Sequence, residues 1–287
     1  MTRPPVALTV AGTDSGGGAG IAADLHTFAA HGVWGTCAVT AVTAQNTVGV
    51  EAVEVLPPEI VAAQIAAVAG DLVVAAVKTG MLGDAAVVEA VAAAVEEWDL
   101  HPLVVDPVSV ASTGGALLTG DGVTALRRRL LPLADLVTPN VAEAALLADL
   151  DEVPRDEAAV ERAAAAVLDL GPRAVLLTGG HLPGPESPDL LMWREEDEHV
   201  WTVIGDRPRQ VSNRSRRAWL RGRRLEAWAT HGTGCVLSAA VTARLARGED
   251  LVQAVEGAKA FVTAAIAAGV ELGAGPGAVN PFGSSPP

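Results

Sequence analysis

Apolar runs of strand length alternate with longer stretches of helical period along most of the chain. Residues 6–10 form a short apolar strand, and residues 19–30 read as a helix after a glycine-rich turn. Residues 37–43 and 50–55 have strand character. Pro58 opens a helix reaching residue 69, since proline suits a first helical turn. Residues 72–77 are a buried strand running into Lys78-Thr79-Gly80, and Asp84 is placed to cap a helix that ends near Trp98. Three more short strands follow: 103–105 ending at Asp106-Pro107, 136–137 ending at Thr138-Pro139-Asn140, and 174–177 ending at Thr178-Gly179-Gly180. Helices are expected over 121–131, 141–147 and 156–170.

This alternation predicts an α/β fold with a mostly parallel central sheet covered by helices on both faces. Polar residues and glycines gather where the strands end: Gly12, Asp14, Gln45, Lys78, Asp106, Asn140 and Thr178. Open α/β sheets bind ligands outside the carboxyl ends of their strands, so one rim is expected to carry the chemistry. No repeat or linker divides residues 1–287, and a single domain is expected. One segment breaks the pattern. Residues 206–228 hold eight arginines between Arg207 and Arg224 in an otherwise acidic chain. A solvated surface loop is the simplest reading of such a charge run, with a dimer contact or an anion-gathering lid as alternatives.

Composition narrows the choice. Half the residues are hydrophobic but aromatics make up only 3%, so the core is built from many small Ala and Val side chains. A net charge of −14 argues against a nucleic-acid surface. Cys37 and Cys235 are far apart and suggest neither a disulfide framework nor a zinc cluster. Neither a signal peptide nor a membrane span is read in the sequence, and a cytoplasmic protein is expected.

Three stretches carry candidate chemistry. Thr230-His231-Gly232-Thr233-Gly234-Cys235 precedes a helical pattern, so two glycines deliver Cys235 to a first helical turn. Free N–H groups there attract anions, and the helix dipole is expected to lower the thiol pKa. Taken alone, the stretch is equally an ordinary helix start with a buried thiol. The glycine-rich run from Ala11 to Gly20 lacks the lysine of a P-loop and reads as a tight crossing near a ligand. Asp24, just beyond it, could cap, form a salt bridge or hold a substrate hydroxyl. Gln45 in Thr43-Ala44-Gln45-Asn46-Thr47 has an amide that matches the ring nitrogen and amino group of an aminopyrimidine, although closing a turn is its simpler role.

Together AGTDSGGGAGIAADLHTF, TAQNT, KTGML, VVDPV, TPNVAEA, GGH, THGTGC and the closing GAGPGAVNPF resemble, in order and spacing, the hydroxymethylpyrimidine/phosphomethylpyrimidine kinases of thiamine biosynthesis. These belong to the ribokinase-like superfamily, whose fold is a three-layer α/β/α sandwich. The arginine-rich insertion at about 206–228 falls outside the resemblance. The resemblance implies ATP-dependent phosphorylation of 4-amino-5-hydroxymethyl-2-methylpyrimidine and then of its monophosphate, with Mg²⁺. A pyridoxal-type vitamin kinase or a catalytically weakened pyrimidine-binding homologue are the alternatives, and a homodimer is expected. By the same resemblance Gln45 would read the pyrimidine edge with Gly12 and the Val42 backbone. Asp24 would bind the hydroxymethyl end, with Met81 and Val108 lining the ring pocket. Gly232, Thr233 and Gly234 would form the anion hole, and Cys235 stands where the sugar kinases have their aspartate base. Asp106, Asn140 and Glu143 would organise Mg²⁺ and its waters, with Asp106 and Glu143 as its nearest acids, and Lys259 would stand at the ATP site.

The chain departs from the family at several positions. Thr178 replaces the lysine usual before Gly-Gly-His181, Ser112 replaces that of V-A-K-S-G, Ser15-Gly16 stands for Pro-Ser, and Ala229 replaces an asparagine. Only Lys78 and Lys259 remain as lysines. An arginine of the 207–224 segment is the expected substitute for the lost charge near the ATP phosphates, with a hydrogen bond from Thr178 as the plainer alternative.

Overall fold

The computed structural model describes residues 3–109, 115, 117–180, 182–195, 214–283 and the backbone of 201–204 and 207–210. The 110–114 stretch with Ser112, His181, and residues 205–206 and 211–213 of the arginine-rich segment lie outside the described residues. The elements are β1 (Val6–Ala11), α1 (Gly20–Ala30), β2 (Trp34–Val39), β3 (Ala41–Asn46), β4 (Gly49–Val55), α2 (Pro58–Ala69), β5 (Val74–Thr79), α3 (Ala85–Trp98), β6 (Leu103–Val105), α4 (Gly120–Ala125), β7 (Leu136–Val137), α5 (Val141–Ala148), α6 (Glu157–Leu168), β8 (Ala174–Leu177), β9 (Asp189–Arg194), β10 (Trp201–Ile204), β11 (Arg207–Gln210), β12 (Ser215–Leu220), β13 (Ala229–His231), α7 (Thr233–Ala246), α8 (Leu251–Ala267) and β14 (Gly277–Ala278).

The central sheet runs β12-β9-β8-β7-β6-β5-β1-β2. Its strands from β8 to β2 are parallel, and β9 and β12 extend it antiparallel. Side chains alternate between its faces. Val105, Val137 and Val175 join the layer of α2, α3, α5 and α6, while Val104, Leu136 and Ala174 join that of α7 and α8. Both faces of the middle strands are therefore apolar, as a sheet covered twice requires. Small side chains permit the close layers: Ala163, Ala164, Ala240, Ala254 and Ala258 are fully buried.

Three expectations shift in detail. The strand expected over 37–43 is two strands, because Thr40 breaks out of line to donate to the Met81 carbonyl at 2.6 Å. After that break β3 leaves the sheet and pairs only with β4, making a separate hairpin. The helix expected over 121–131 ends as α-helix at Ala125 and continues as a π-helical turn over Leu126–Leu130. The arginine-rich segment is no simple loop. Its residues 215–220 are β12, paired with β9 at the sheet edge, with exposed Arg216 and Arg217 ion-paired to Glu195 and Glu161. Charged side chains on an edge strand discourage further pairing.

Candidate active site

Two helix N-termini are brought together where the parallel strands end. The loop from β1 folds around Asp14, which is buried and accepts from the N–H groups of Gly16 (2.8 Å), Gly18 (3.1 Å) and Ala19 (2.9 Å). His231 Nε2 lies 3.1 Å from the same carboxylate. Burial opposes the charge, but His231 and these N–H groups outweigh it and hold the Asp14 carboxyl below its usual range. This one aspartate ties the first loop to the turn before α7.

Backbone contact makes the junction tight. Gly232 has φ +83°, and a Cβ there would lie 1.9 Å from the Gly18 carbonyl oxygen. That residue must be glycine. Beyond it Thr233 Oγ1 donates to the Thr230 carbonyl (2.7 Å), and the first helical bond runs from Val236 N to Gly232 O (2.9 Å). The N–H groups of Thr233, Gly234 and Cys235 therefore have no partner within the helix and form an anion cradle. Gly232, Thr233 and Gly234 stand together where the sequence placed them.

Beneath the cradle lies a buried charge cluster. Lys78 Nζ contacts both oxygens of Asp24 (2.7 and 2.9 Å) and lies 3.9 Å from Asp106, with Lys78 and Asp24 fully enclosed. Burial penalises the ammonium, but Asp24, Cys235 and Asp106 more than offset it, so Lys78 holds its proton above the ordinary lysine range. Thr9 Oγ1 donates to Asp24 at 2.6 Å. Asp24, expected at the hydroxymethyl end, thus has its carboxylate taken up by Lys78 and Thr9. Ser238, on α7, donates to Asp106 at 2.9 Å. The expected lowering of the Cys235 thiol does not occur. Burial pushes it up to about 12, the nearby Asp106 and Asp24 push the same way, and neither Lys78 nor the Gly20 N–H reverses this.

The ring side is built by the β3–β4 hairpin. Ser15 Oγ donates to the Gln45 carbonyl (2.7 Å) and accepts from its N–H (2.8 Å), pinning Gln45 by its backbone. Its side-chain amide makes no hydrogen bond among the described residues. Met81 is buried, and its Sδ would lie 3.0 Å from a Cβ at Gly12, so those two share a wall. Val42 is 49% exposed on the hairpin, and Val108 is half-buried after Asp106.

On the nucleotide side Asn140 caps α5 in a capping box, its Oδ1 accepting from Ala142 and Glu143 N–H while Glu143 accepts from the Asn140 N–H at 2.9 Å. Burial, reinforced by Asp106, pushes the Glu143 carboxyl up to about 8, and burial likewise raises Asp106. Two crowded acids with raised pKa call for a cation. Thr138 hydroxyl, buried and without a partner, sits on the strand end beside Asp106. Among the described residues no three His, Cys, Asp or Glu side chains are arranged to hold a metal ion directly, so these groups fit a hydrated ion held largely through water rather than a dry cage. Thr178 bridges Asn140 across the adjacent strands. Lys259 is paired to Asp189 (2.6 Å) and donates to the Ser187 carbonyl (2.8 Å). Asp189 also accepts from the Gly179 N–H at 2.9 Å.

The arginines of the segment are largely exposed, yet those beside the site are engaged within the protein rather than left free for the phosphates. Arg221 pairs with Glu157 (2.9 Å) and Glu186 (3.1 Å), and Arg224 donates to main-chain carbonyls. No role for Asp189 or Ser238 was readable in the sequence, where His231 figured only within the turn stretch and Arg224 only as one of the arginine-rich run. Ser238, one turn beyond Cys235, was the only one with a readable spacing.

Comparison with known proteins identifies the family. The family profile described as phosphomethylpyrimidine kinase matches residues 14–280. The hydroxymethylpyrimidine/phosphomethylpyrimidine kinase of Rhizobium meliloti is 47% identical over 96% of this chain and 97% of its own. That of Streptomyces coelicolor is 48% identical, covering 96% of this chain and 94% of its own. Among solved structures, Bacillus subtilis pyridoxal kinase in an ADP complex superposes with a TM-score of 0.81 at 32% identity, over 97% of each chain. Phosphomethylpyrimidine kinase from Clostridium difficile does so with 0.72 at 35%, over 90% of this chain and 97% of its own. The three-layer α/β/α sandwich is accordingly ribokinase-like, and the chain belongs to the phosphomethylpyrimidine kinase family.

Proposed function

We propose that this chain uses ATP to phosphorylate the hydroxymethyl group of 4-amino-5-hydroxymethyl-2-methylpyrimidine, and then the resulting monophosphate to the diphosphate. The observation that carries this reading is the cradle of free N–H groups at the start of α7, locked against Gly18 of the same loop whose Ser15 pins Gln45 on the hairpin. Phosphoryl transfer needs positioning and charge stabilisation more than covalent help, and a rigid ring of N–H donors supplies both. Gln45, with its unspent amide, reads the aminopyrimidine edge beside Gly12 and the Val42 backbone, and Met81 and Val108 line the ring.

Mg²⁺ held by Asp106 and Glu143 through water, with Asn140 and Thr138 beside them, would neutralise charge on the nucleotide phosphates. Thr178 and Lys259 border the same strand end. A thiol pushed up to about 12 is protonated at neutral pH, so Cys235 positions the alcohol beside the cradle. The alcohol proton then passes late to an oxygen of the transferred phosphoryl group as ADP leaves, which a loose transition state allows. Asp24 acts one layer lower, holding Lys78 beneath Cys235 and Asp106.

Likeness to pyridoxal kinases supports a second reading, phosphorylation of a hydroxymethyl pyridine in the same pocket. The amide of Gln45 favours the aminopyrimidine. We place the enzyme in the cytoplasm as a homodimer; no helix among the described residues is long and apolar enough to cross a membrane. Val42, Val48 and Val53 are exposed at 49, 61 and 40%, giving the hairpin an apolar surface for a second copy. ADP release measured in parallel with the two substrates, resolving mono- from diphosphate product, tests the reading; turnover of pyridoxal alone overturns it. Cys235→Ala is expected to lower kcat about 100-fold with pyrimidine affinity retained, the cost of a small misplacement of the alcohol.

A further inference from the structure

The segment that follows β12 is fastened to the loop that follows β8. Ser187 N–H donates to the Gly222 carbonyl (2.8 Å), Arg224 N–H donates to that of Pro185 (2.9 Å), and Glu186 and Arg223 form an isolated antiparallel bridge. Into this junction Arg224 sends its guanidinium. It donates to the main-chain carbonyls of Gly180 (2.6 Å), Gly184 (2.9 Å), Glu186 (3.0 Å) and Leu182.

One side chain thus satisfies four carbonyls of a loop that has no regular structure of its own. Ordering such a loop costs backbone entropy at every residue, which single weak contacts would not offset. The planar fork of five N–H donors suits the task, whereas an ammonium with three donors on a flexible stem cannot span the same oxygens. No carboxylate pairs with Arg224 among the described residues, unlike Arg221 with its two glutamates. Its charge is therefore spent on carbonyl dipoles.

The loop matters because of where it starts. Its first residues, Thr178 and Gly179, are the end of the sheet strand that touches Asn140, and Gly179 N–H is held by Asp189, the partner of Lys259. The geometry points to Arg224 as a positioning residue for the nucleotide half of the site. It holds the loop after Thr178 in the shape that receives the phosphates, in a chain that has no lysine at position 178. This rests on the kinase reading above. It also changes the expected part of the arginine-rich segment, which acts by shaping a wall rather than by presenting a cation to the phosphates.

Arg224→Gln and Arg224→Lys, with Arg221→Gln as control, are assayed with ATP and hydroxymethylpyrimidine. Both Arg224 variants are expected to raise KM for ATP at least tenfold, with kcat and the pyrimidine KM within twofold of wild type; Arg221→Gln is expected to leave all three unchanged. Full rescue by lysine would show that charge alone suffices and overturn the positioning role, as would an unchanged KM for ATP in both variants. Should the variants fail to fold, amide hydrogen exchange in the wild-type chain decides. The Leu182 and Ser187 N–H groups, which donate to the Gly179 and Gly222 carbonyls, are expected to be protected before ADP is added, and exchange at the solvent rate overturns the inference. Absence of any phosphoryl transfer by the wild type would instead refute the kinase reading, and the exchange measurement would still stand.

Discussion

Asp24→Asn separates a supporting role from a substrate contact. In the native chain Lys78 is fully buried with two contacts below 3 Å to Asp24 and only a 3.9 Å approach to Asp106. The asparagine keeps the shape but removes the charge, leaving an ammonium in the interior with a distant partner. Breaking a buried pair in this way costs about 3–5 kcal/mol. Against a stability of about 5–15 kcal/mol the variant should still fold. At about 2–4 °C per kcal/mol its Tm should fall by on the order of 10 °C. Lys78→Met alone leaves Asp24 and Asp106 with no cation between them and is expected to cost a similar amount. The double variant removes both charges, so it should be more stable than the sum of the singles predicts, by about 2–3 kcal/mol. Urea unfolding followed by tryptophan fluorescence gives all three values, with the pyrimidine KM measured alongside. A loss below about 1 kcal/mol in Asp24→Asn, together with a tenfold rise in that KM, would refute the argument and return Asp24 to direct contact with the hydroxymethyl group.

Two further outcomes follow from the same geometry. Gly232→Ala forces an L-residue to φ +83°, a strain of about 1–2 kcal/mol, and drives its Cβ to 1.9 Å from the Gly18 carbonyl unless the turn moves. Since loss of one such donor lowers kcat about 100- to 1000-fold, a fall of that size with pyrimidine affinity intact is expected, and a normal kcat would dismiss the cradle. Glu143 gives a pH signature: its folded pKa, pushed up to about 8, exceeds the unfolded value near 4.5. Its contribution is fully present below about pH 4.5 and is lost as pH rises through 8, so the apo chain should weaken across that window by on the order of a few kcal/mol. Urea titrations at pH 5 and pH 8.5 check this; Glu143→Gln should remove the slope, and an equal slope in the variant would clear Glu143.

Much of the sheet was legible because its strands are short apolar runs closed by glycine, proline or a polar residue, as at Leu103–Val105 before Asp106. Caps at Asp84 and Asn140 could be read for the same local reason. What escaped depends on contacts distant in sequence. The 37–43 run gave no sign that Thr40 would turn aside toward Met81, 41 residues away. The arginines looked like a solvated loop since nothing local to them announces β9 as a partner or Glu157, Glu161 and Glu195 as counter-ions. Cys235 shows the limit most clearly. Its helix start was read correctly, but the sign of its pKa shift is set by burial and by the neighbouring carboxylates of Asp24 and Asp106, which arrive from other elements.

The placement of charge explains how so acidic a chain can receive polyanions. With a net charge of −14 it has no long-range attraction to offer a nucleotide, and both lysines are already committed, Lys78 to Asp24 and Lys259 to Asp189. What remains at the strand ends is directional rather than net: N–H groups of Thr233, Gly234 and Cys235, the Gly179 N–H oriented by Asp189, and a half-buried guanidinium engaged by carbonyls. Dipoles of this kind act over one helical turn and need exact geometry, whereas a lysine tolerates displacement. That trade accounts for the rigidity found around the cradle, where Asp14, His231, Gly18 and Gly232 are locked in mutual contact. A site that relies on fixed dipoles in place of mobile cations must be held still by its surroundings, and the bonds that hold it lie in the loops between strands rather than in the sheet.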